Sequence, residues 1–296
     1  MRGCLYSSTA LALTLLGAHA FVAPGLQLRR PAVSNRVSMT TSPESSSWGL
    51  IFDCDGVILE SEGLHRDAYN AVFKEFEVDY NWSPEYYDEL QNLIGGGKPK
   101  MRHYFGVNGW PASKLGPPPS ESADQDALID ALQDRKTEIY KEMIASGTVP
   151  VRPGFNRLVD EALALPGAKL AICSASTKDA CVFVLDNLLG KEQLAKFEVV
   201  LAGDDVERRK PDPSIYVLAS EMLGVPADRC IVVEDSLIGL QAALGAQMRC
   251  VITHTPSTAT QDFSGAIAVY PELGDGDGVQ VTAQQLYDML PSSVTV

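Results

Sequence analysis

From Trp48 onward, short apolar runs punctuate the chain, and three of them stop at a polar or charged residue. Leu50-Ile51-Phe52 stops at Asp53, Lys169-Leu170-Ala171-Ile172-Cys173 at Ser174, and Cys230-Ile231-Val232-Val233 at Glu234-Asp235. Val199-Val200-Leu201-Ala202 and Cys250-Val251-Ile252 are further runs. Runs this short, bounded by turn signals, suit strands buried on both faces of a parallel sheet. Helix-period patterns at 155–164, 178–189, 213–223 and 237–246 separate them. Strand and helix in alternation predict an α/β fold, a doubly wound parallel-sheet (Rossmann-like) core. Ligands of such sheets bind outside the carboxyl ends of the strands, so Asp53, Ser174 and Asp235 are expected to converge on one crevice.

The pattern changes between Glu62 and Val151. Amphipathic helical stretches at 64–76, 84–93 and 126–144 occur with no convincing strand, and Gly116-Pro117-Pro118-Pro119 reads as a loop. This predicts an α-helical cap (63–150) inserted into a core made of 47–62 and 151–296.

Residues 1–43 read as a leader to be set aside. Arg2 precedes the apolar run Ala10–Leu16, which ends in the small-residue stretch Gly17–Ala20 and is too short to span a bilayer. Arg29, Arg30, Arg36 and several Ser and Thr follow, with no acid before Glu44. That composition is a transit-peptide signature, and the Ala20-Phe21 junction resembles the bipartite presequence of complex plastids; plain secretion is the alternative. Losing the four leader arginines takes the net charge from −14 to −18. So acidic a chain disfavours nucleic acid and anionic membrane as partners, while leaving room for a small anion at a locally basic site. The cysteines show no metal spacing, and Cys173, Cys230 and Cys250 lie in or beside apolar runs, which fits a reducing compartment such as a plastid stroma.

Four segments carry candidate chemistry. In Asp53-Cys54-Asp55-Gly56-Val57, two carboxylates two residues apart can aim at one point above the sheet, one as nucleophile and one as general acid; a strand-end Asx-turn would use the same residues. Glu234-Asp235-Ser236 offers adjacent carboxylates for a hard divalent cation, with Ser236 able to cap the next helix. Ser174, with Ala175 and Ser176, can form an anion cradle at a helix start or simply cap it. Lys210 stands in Arg208-Arg209-Lys210-Pro211-Asp212-Pro213, where a single lysine would by itself mean no more than surface charge.

Their order decides. Asp-x-Asp-Gly-Val, a serine at the second strand tip, Lys-Pro-Asp-Pro and Glu-Asp-Ser-x-x-Gly together resemble the haloacid dehalogenase superfamily across residues 50–252. Within it, Ile51–Glu62 with Leu64-His65-Arg66, Gly95–Arg102, Lys136-Thr137-Glu138 and Arg152-Pro153-Gly154 resemble CbbY-type xylulose-1,5-bisphosphate phosphatases. The resemblance implies that Asp53 forms an aspartyl phosphate, Asp55 acts as acid and then base, and Lys210 and Ser174 steady the transferring phosphoryl group. It implies Mg²⁺ held by Asp53, the Asp55 carbonyl and Asp235, with Glu234 in or beside its ligand set. The implied product is xylulose 5-phosphate, and the link to Rubisco is removal of an inhibitor, with no direct binding expected.

The cap is expected to hold a second, non-reacting phosphate through Gly96, Gly97, Lys98, Lys100, Arg102 and Lys136. Lys98 and Arg102 would share a helix face. Glu62 and His65 are placed to meet sugar hydroxyls, or His65 to orient Asp55, and Arg152 to reach phosphate or pair with an acid. A β-phosphoglucomutase-like transferase and a silent Rubisco-associated binding protein are the alternatives.

Overall fold

The computed structural model describes residues 47–278 and 280–291; the presequence expectation lies outside them. Six parallel strands form one sheet in the order β3-β2-β1-β4-β5-β6. They are β1 (Trp48–Phe52), β2 (Ala168–Cys173), β3 (Val199–Leu201), β4 (Cys230–Glu234), β5 (Arg249–Thr253) and β6 (Ala268–Tyr270). The order reverses beside β1, between β2 on one flank and β4 on the other, and a crevice opens where strands diverge in this way.

Every residue of β1 and β4 is buried, because helices cover both faces. Side chains alternate along a strand, so Leu50 and Phe52 enter one core layer and Ile51 the other. The first layer packs against α5 (Phe155–Ala164), α6 (Lys178–Leu188) and α10 (Ala283–Asp288); Phe52 meets Phe155 edge-on at 5.0 Å between ring centres. The second packs against α8 (Ser214–Leu223) and α9 (Leu237–Gly245).

Four helices follow β1 before the sheet resumes: α1 (Ser61–Glu75), α2 (Pro84–Leu93), α3 (Gly97–Asn108) and α4 (Ser122–Ala145). They surround a core of their own, with Phe73, Trp82, Met101, Phe105 and Leu132 almost wholly buried. Among the described residues no strand interrupts them. The strands and most helices fall where hydrophobic periodicity puts them, α2 and α5 to the residue. Four elements lie where periodicity places none: α3, the edge strand β6, the one-turn α7 (Gly190–Leu194) and α10. No described helix is long and apolar enough to cross a membrane.

Candidate active site

The tips of β1, β2 and β4 supply the floor of a crevice of about 480 Å³. Asp53 leaves β1 with its N–H bonded to the Val233 carbonyl of β4 at 2.9 Å, so the two tips are held together before any side chain acts. Gly56 then turns with φ +80°, a conformation that favours glycine. A methyl at that position would also overlap the Asp235 carboxylate. The turn thus needs glycine twice, for its backbone and for the close approach of the acid.

Lys210 lies at the centre. Its Nζ donates to Asp53 Oδ1 at 2.5 Å, to Glu234 Oε1 at 2.7 Å and to the Cys173 carbonyl at 3.0 Å. The ammonium is almost wholly buried. Burial works against its charge, but Asp53 and Glu234 hold its pKa above the ordinary value. Such charge-assisted bonds are short and roughly twice as strong as neutral ones. Tyr216 on α8, which sequence patterning did not single out, donates to the same Glu234 oxygen at 2.6 Å. The other Glu234 oxygen accepts from the Asp235 N–H at 3.0 Å and the Ser236 hydroxyl at 3.3 Å. Glu234 therefore acts mainly as a bracket for Lys210 and for the loop after β4.

Asp235 differs. Its carboxylate opens onto the crevice and has no hydrogen-bond partner among the described residues. Asp53, Glu234 and Asp235 each present an oxygen within 4.8 Å of the others. Burial chiefly, then repulsion from Glu234 and Asp55, pushes the Asp53 carboxyl up to about 8 against the pull of Lys210. Burial and the same neighbours also push Asp235 well up. Three buried carboxylates against one lysine leave a deficit of positive charge. Oxygen donors this close, one of them unpartnered, fit a hard divalent cation such as Mg²⁺, which Asp53 and Asp235 would hold with Glu234 beside them.

Asp55 is held from β2. The Ser176 hydroxyl donates to Asp55 Oδ2 at 3.0 Å. Ser174 is fully buried, and its hydroxyl accepts the Ser176 N–H at 3.0 Å, so it shapes the turn while Ala175 and Ser176 line the cavity walls.

A second cavity, of about 350 Å³, adjoins the first and shares Asp55, Ser61, Glu62 and Gln91 with it. Gly96, Gly97, His65, Lys100 and Lys136 line it. Lys100 and Lys136 are both buried, and neither forms an ion pair within 4 Å among the described residues. Lys100 Nζ contacts Gln91 Oε1 and lies 3.3 Å from the Tyr87 hydroxyl. Lys136 Nζ lies 2.8 Å from His65 Nδ1. Burial first, then the two lysines, pushes the His65 pKa well down, so its imidazole is neutral and accepts from Lys136. The His65 ring stacks on Tyr140 with centres 4.3 Å apart. Burial brings Lys100 down to about 8 despite Glu62, and burial with repulsion from Lys100 does the same to Lys136. Glu62 reaches Gln91 with one oxygen; its other oxygen is buried without a partner.

The structure divides the basic group that the sequence gathers. Lys98 and Arg102 do share a face of α3, but that face turns to α4, where they pair with Asp130 and Asp126. Both are more than 40% exposed and line neither cavity. Lys100 is the inward member. Arg152 also departs from expectation: its guanidinium is taken up by backbone carbonyls rather than by an acid or an open cavity. Gln91, Tyr87, Gln133 and Tyr216 join the site without a sequence signal, because one glutamine or tyrosine in a helix follows no diagnostic spacing.

A doubly wound sheet whose tips gather an Asp-x-Asp pair, a buried lysine and a second acidic pair defines an α/β enzyme built to handle a phosphoryl-like anion. The chain belongs to the haloacid dehalogenase-like hydrolase family, which it matches over residues 49–247. It is 50% identical over 300 residues to a haloacid dehalogenase-like hydrolase domain-containing protein of Arabidopsis thaliana, covering 98% of this chain and 93% of that one. It is 43% identical over 239 residues to a CBBY-like protein of the same plant, covering 80% and 72% of the two chains. A crystal structure of a CbbY variant from Rhodobacter sphaeroides in complex with xylulose-(1,5)bisphosphate is 31% identical, with a TM-score of 0.60 over 77% of this chain and 96% of that one.

Proposed function

We propose that this chain is a Mg²⁺-dependent phosphatase acting on a sugar bisphosphate, with xylulose-1,5-bisphosphate as substrate and xylulose 5-phosphate and phosphate as products. The observation that carries the reading is the pair of adjoining cavities. One holds the Asp53–Asp55 pair, and the other holds two buried ammonium groups with no acid bonded to them. Buried cations are costly unless an anion joins them. A substrate with a phosphate at each end fills both.

In this reading the Asp53 carboxylate attacks phosphorus while Asp55 gives its proton to the departing sugar alkoxide. Asp55, steadied by Ser176, then takes a proton from water as that water attacks the aspartyl phosphate, which restores Asp53 and releases phosphate. Lys210 lies against Asp53, where charge builds on the phosphoryl oxygens. Bound Mg²⁺ supplies charge screening and polarisation of those oxygens. Likeness to a CbbY bound to xylulose bisphosphate supports the choice of sugar. Removal of a Rubisco inhibitor is the proposed purpose, and a plastid stroma the proposed compartment.

A phosphate-release screen over sugar mono- and bisphosphates, with Mg²⁺ and with chelator, tests this. The expected result is Mg²⁺-dependent release, fastest from xylulose-1,5-bisphosphate. Isomerisation of β-glucose 1-phosphate without release would instead mark a mutase, and no turnover of any substrate would overturn the enzymatic reading. Asp53→Asn should lower kcat on the order of 10⁴-fold, because the attacking oxygen is lost and no other group replaces it.

A further inference from the structure

Arg152 follows α4 where the chain returns to the sheet. Its N–H donates to the Ile58 carbonyl at 2.8 Å. Its Nη1 donates to the Gly56 carbonyl and to the Thr253 carbonyl, the latter at 2.9 Å. Its Nη2 donates to the His254 carbonyl at 2.9 Å and the Pro271 carbonyl at 3.1 Å. Gly56 belongs to the turn after β1, Thr253 ends β5, and Pro271 follows β6. In the sheet order, β4 lies between β1 and β5. One guanidinium therefore bridges over the strand whose tip carries Glu234 and Asp235, gripping the chain on either side. The Gly56 turn that it holds is the one packed so tightly on Asp235 that no Cβ fits.

We infer that Arg152 is a positioning residue for the cation site: it fixes the Gly56 turn and the β5 tip around Asp235, and thereby sets how tightly the metal binds. This rests on Asp53 and Asp235 being Mg²⁺ ligands. Arg152 lines neither cavity, so a direct role in holding substrate is not what its geometry offers. Lysine cannot replace it, because one ammonium lacks the planar fork that reaches carbonyls on both sides of β4.

The test is titration calorimetry of Mg²⁺ into the substrate-free, full-length protein, comparing wild type with Arg152→Gln, Arg152→Lys and Arg157→Gln. Arg157 is the control. It too bonds backbone carbonyls, those of Leu273, Gly274 and Val281 at 2.8–3.1 Å, but away from the crevice. Charged hydrogen bonds of this kind predict a Mg²⁺ Kd raised about tenfold or more in Arg152→Gln and about threefold or more in Arg152→Lys. Arg157→Gln should lower the melting temperature and leave Kd within about twofold. KM for phosphate esters at saturating Mg²⁺ should stay near wild type in Arg152→Lys. An unchanged Kd in Arg152→Lys, or an equal loss in Arg157→Gln, would overturn the inference. So would a raised KM with unchanged Kd, which would mark a substrate contact. Wild type that binds no Mg²⁺ would sink the functional reading instead.

Discussion

At the scale of single residues, Lys100 and Lys136 line the second cavity, and in the proposed reaction they decide what it can hold. Each loses its proton near pH 8, below the ordinary lysine value of 10.5, chiefly because each is buried. The cationic character of the cavity is therefore present below about pH 8 and fades above it. At saturating Mg²⁺, which would keep Asp53 ionised, KM for a bisphosphate should rise between about pH 7.5 and 9, whereas KM for a monophosphate should rise far less across that range. The unfolded chain keeps these protons up to its higher pKa, so in the absence of ligand their contribution to stability improves between about pH 8 and 10.5. Replacing either lysine by Met should raise the bisphosphate KM about tenfold or more while changing the monophosphate KM about twofold at most. Steady-state kinetics on both substrates checks this, and equal shifts would remove the second anion from the scheme. These lysines also show the limits of a face argument. Spacing of four unites Lys98 with Arg102, but it cannot say which face turns inward. Met101, Tyr104 and Phe105 settle that by burying their own side of α3, which takes Lys100 with them and leaves Lys98 and Arg102 to the acids of α4.

At the scale of elements, α9 illustrates how a helix start and a chemical group are built together. Ser236 caps the helix by accepting the Gly239 N–H at 3.2 Å, and a methyl at Gly239 would overlap the Glu234 carboxyl. Gly239→Ala should therefore push Glu234 off Lys210 and Tyr216, lowering kcat and costing about 1–3 kcal/mol of stability, measured by denaturant unfolding. The same change at Gly63, which has open space around it, should do neither. Element positions were the most legible part of the sequence. Buried strands are uniformly apolar, and the acids and serine at their tips stand out against them. β6 escaped because it is a three-residue edge strand whose central residue is exposed, so it carries little pattern. α3 offered a glycine run and basic residues rather than a clear apolar stripe. Tyr216 was hidden for the opposite reason, since a tyrosine on an apolar helix looks like core until its hydroxyl finds Glu234.

For the molecule as a whole, the excess of carboxylate at the strand tips should make stability respond to a bound cation, as the proposed function requires. With Mg²⁺ at a hundred times its Kd, the gain should be about 2.7 kcal/mol, enough to move the melting temperature upward by several degrees relative to chelator. Asp235→Asn should abolish most of that shift. Calorimetric melting of wild type and variant, with and without Mg²⁺, checks both outcomes.

The inward placement of Lys100 and Lys136, set in a chain of net charge −14, has a further effect on encounter with a polyanion. From a distance such a ligand meets repulsion, and the attraction begins only once it has entered. Adding salt at low ionic strength should thus speed capture, so that kcat/KM for a bisphosphate climbs before it falls as screening reaches the interior. The usual electrostatically steered enzyme slows monotonically under the same titration.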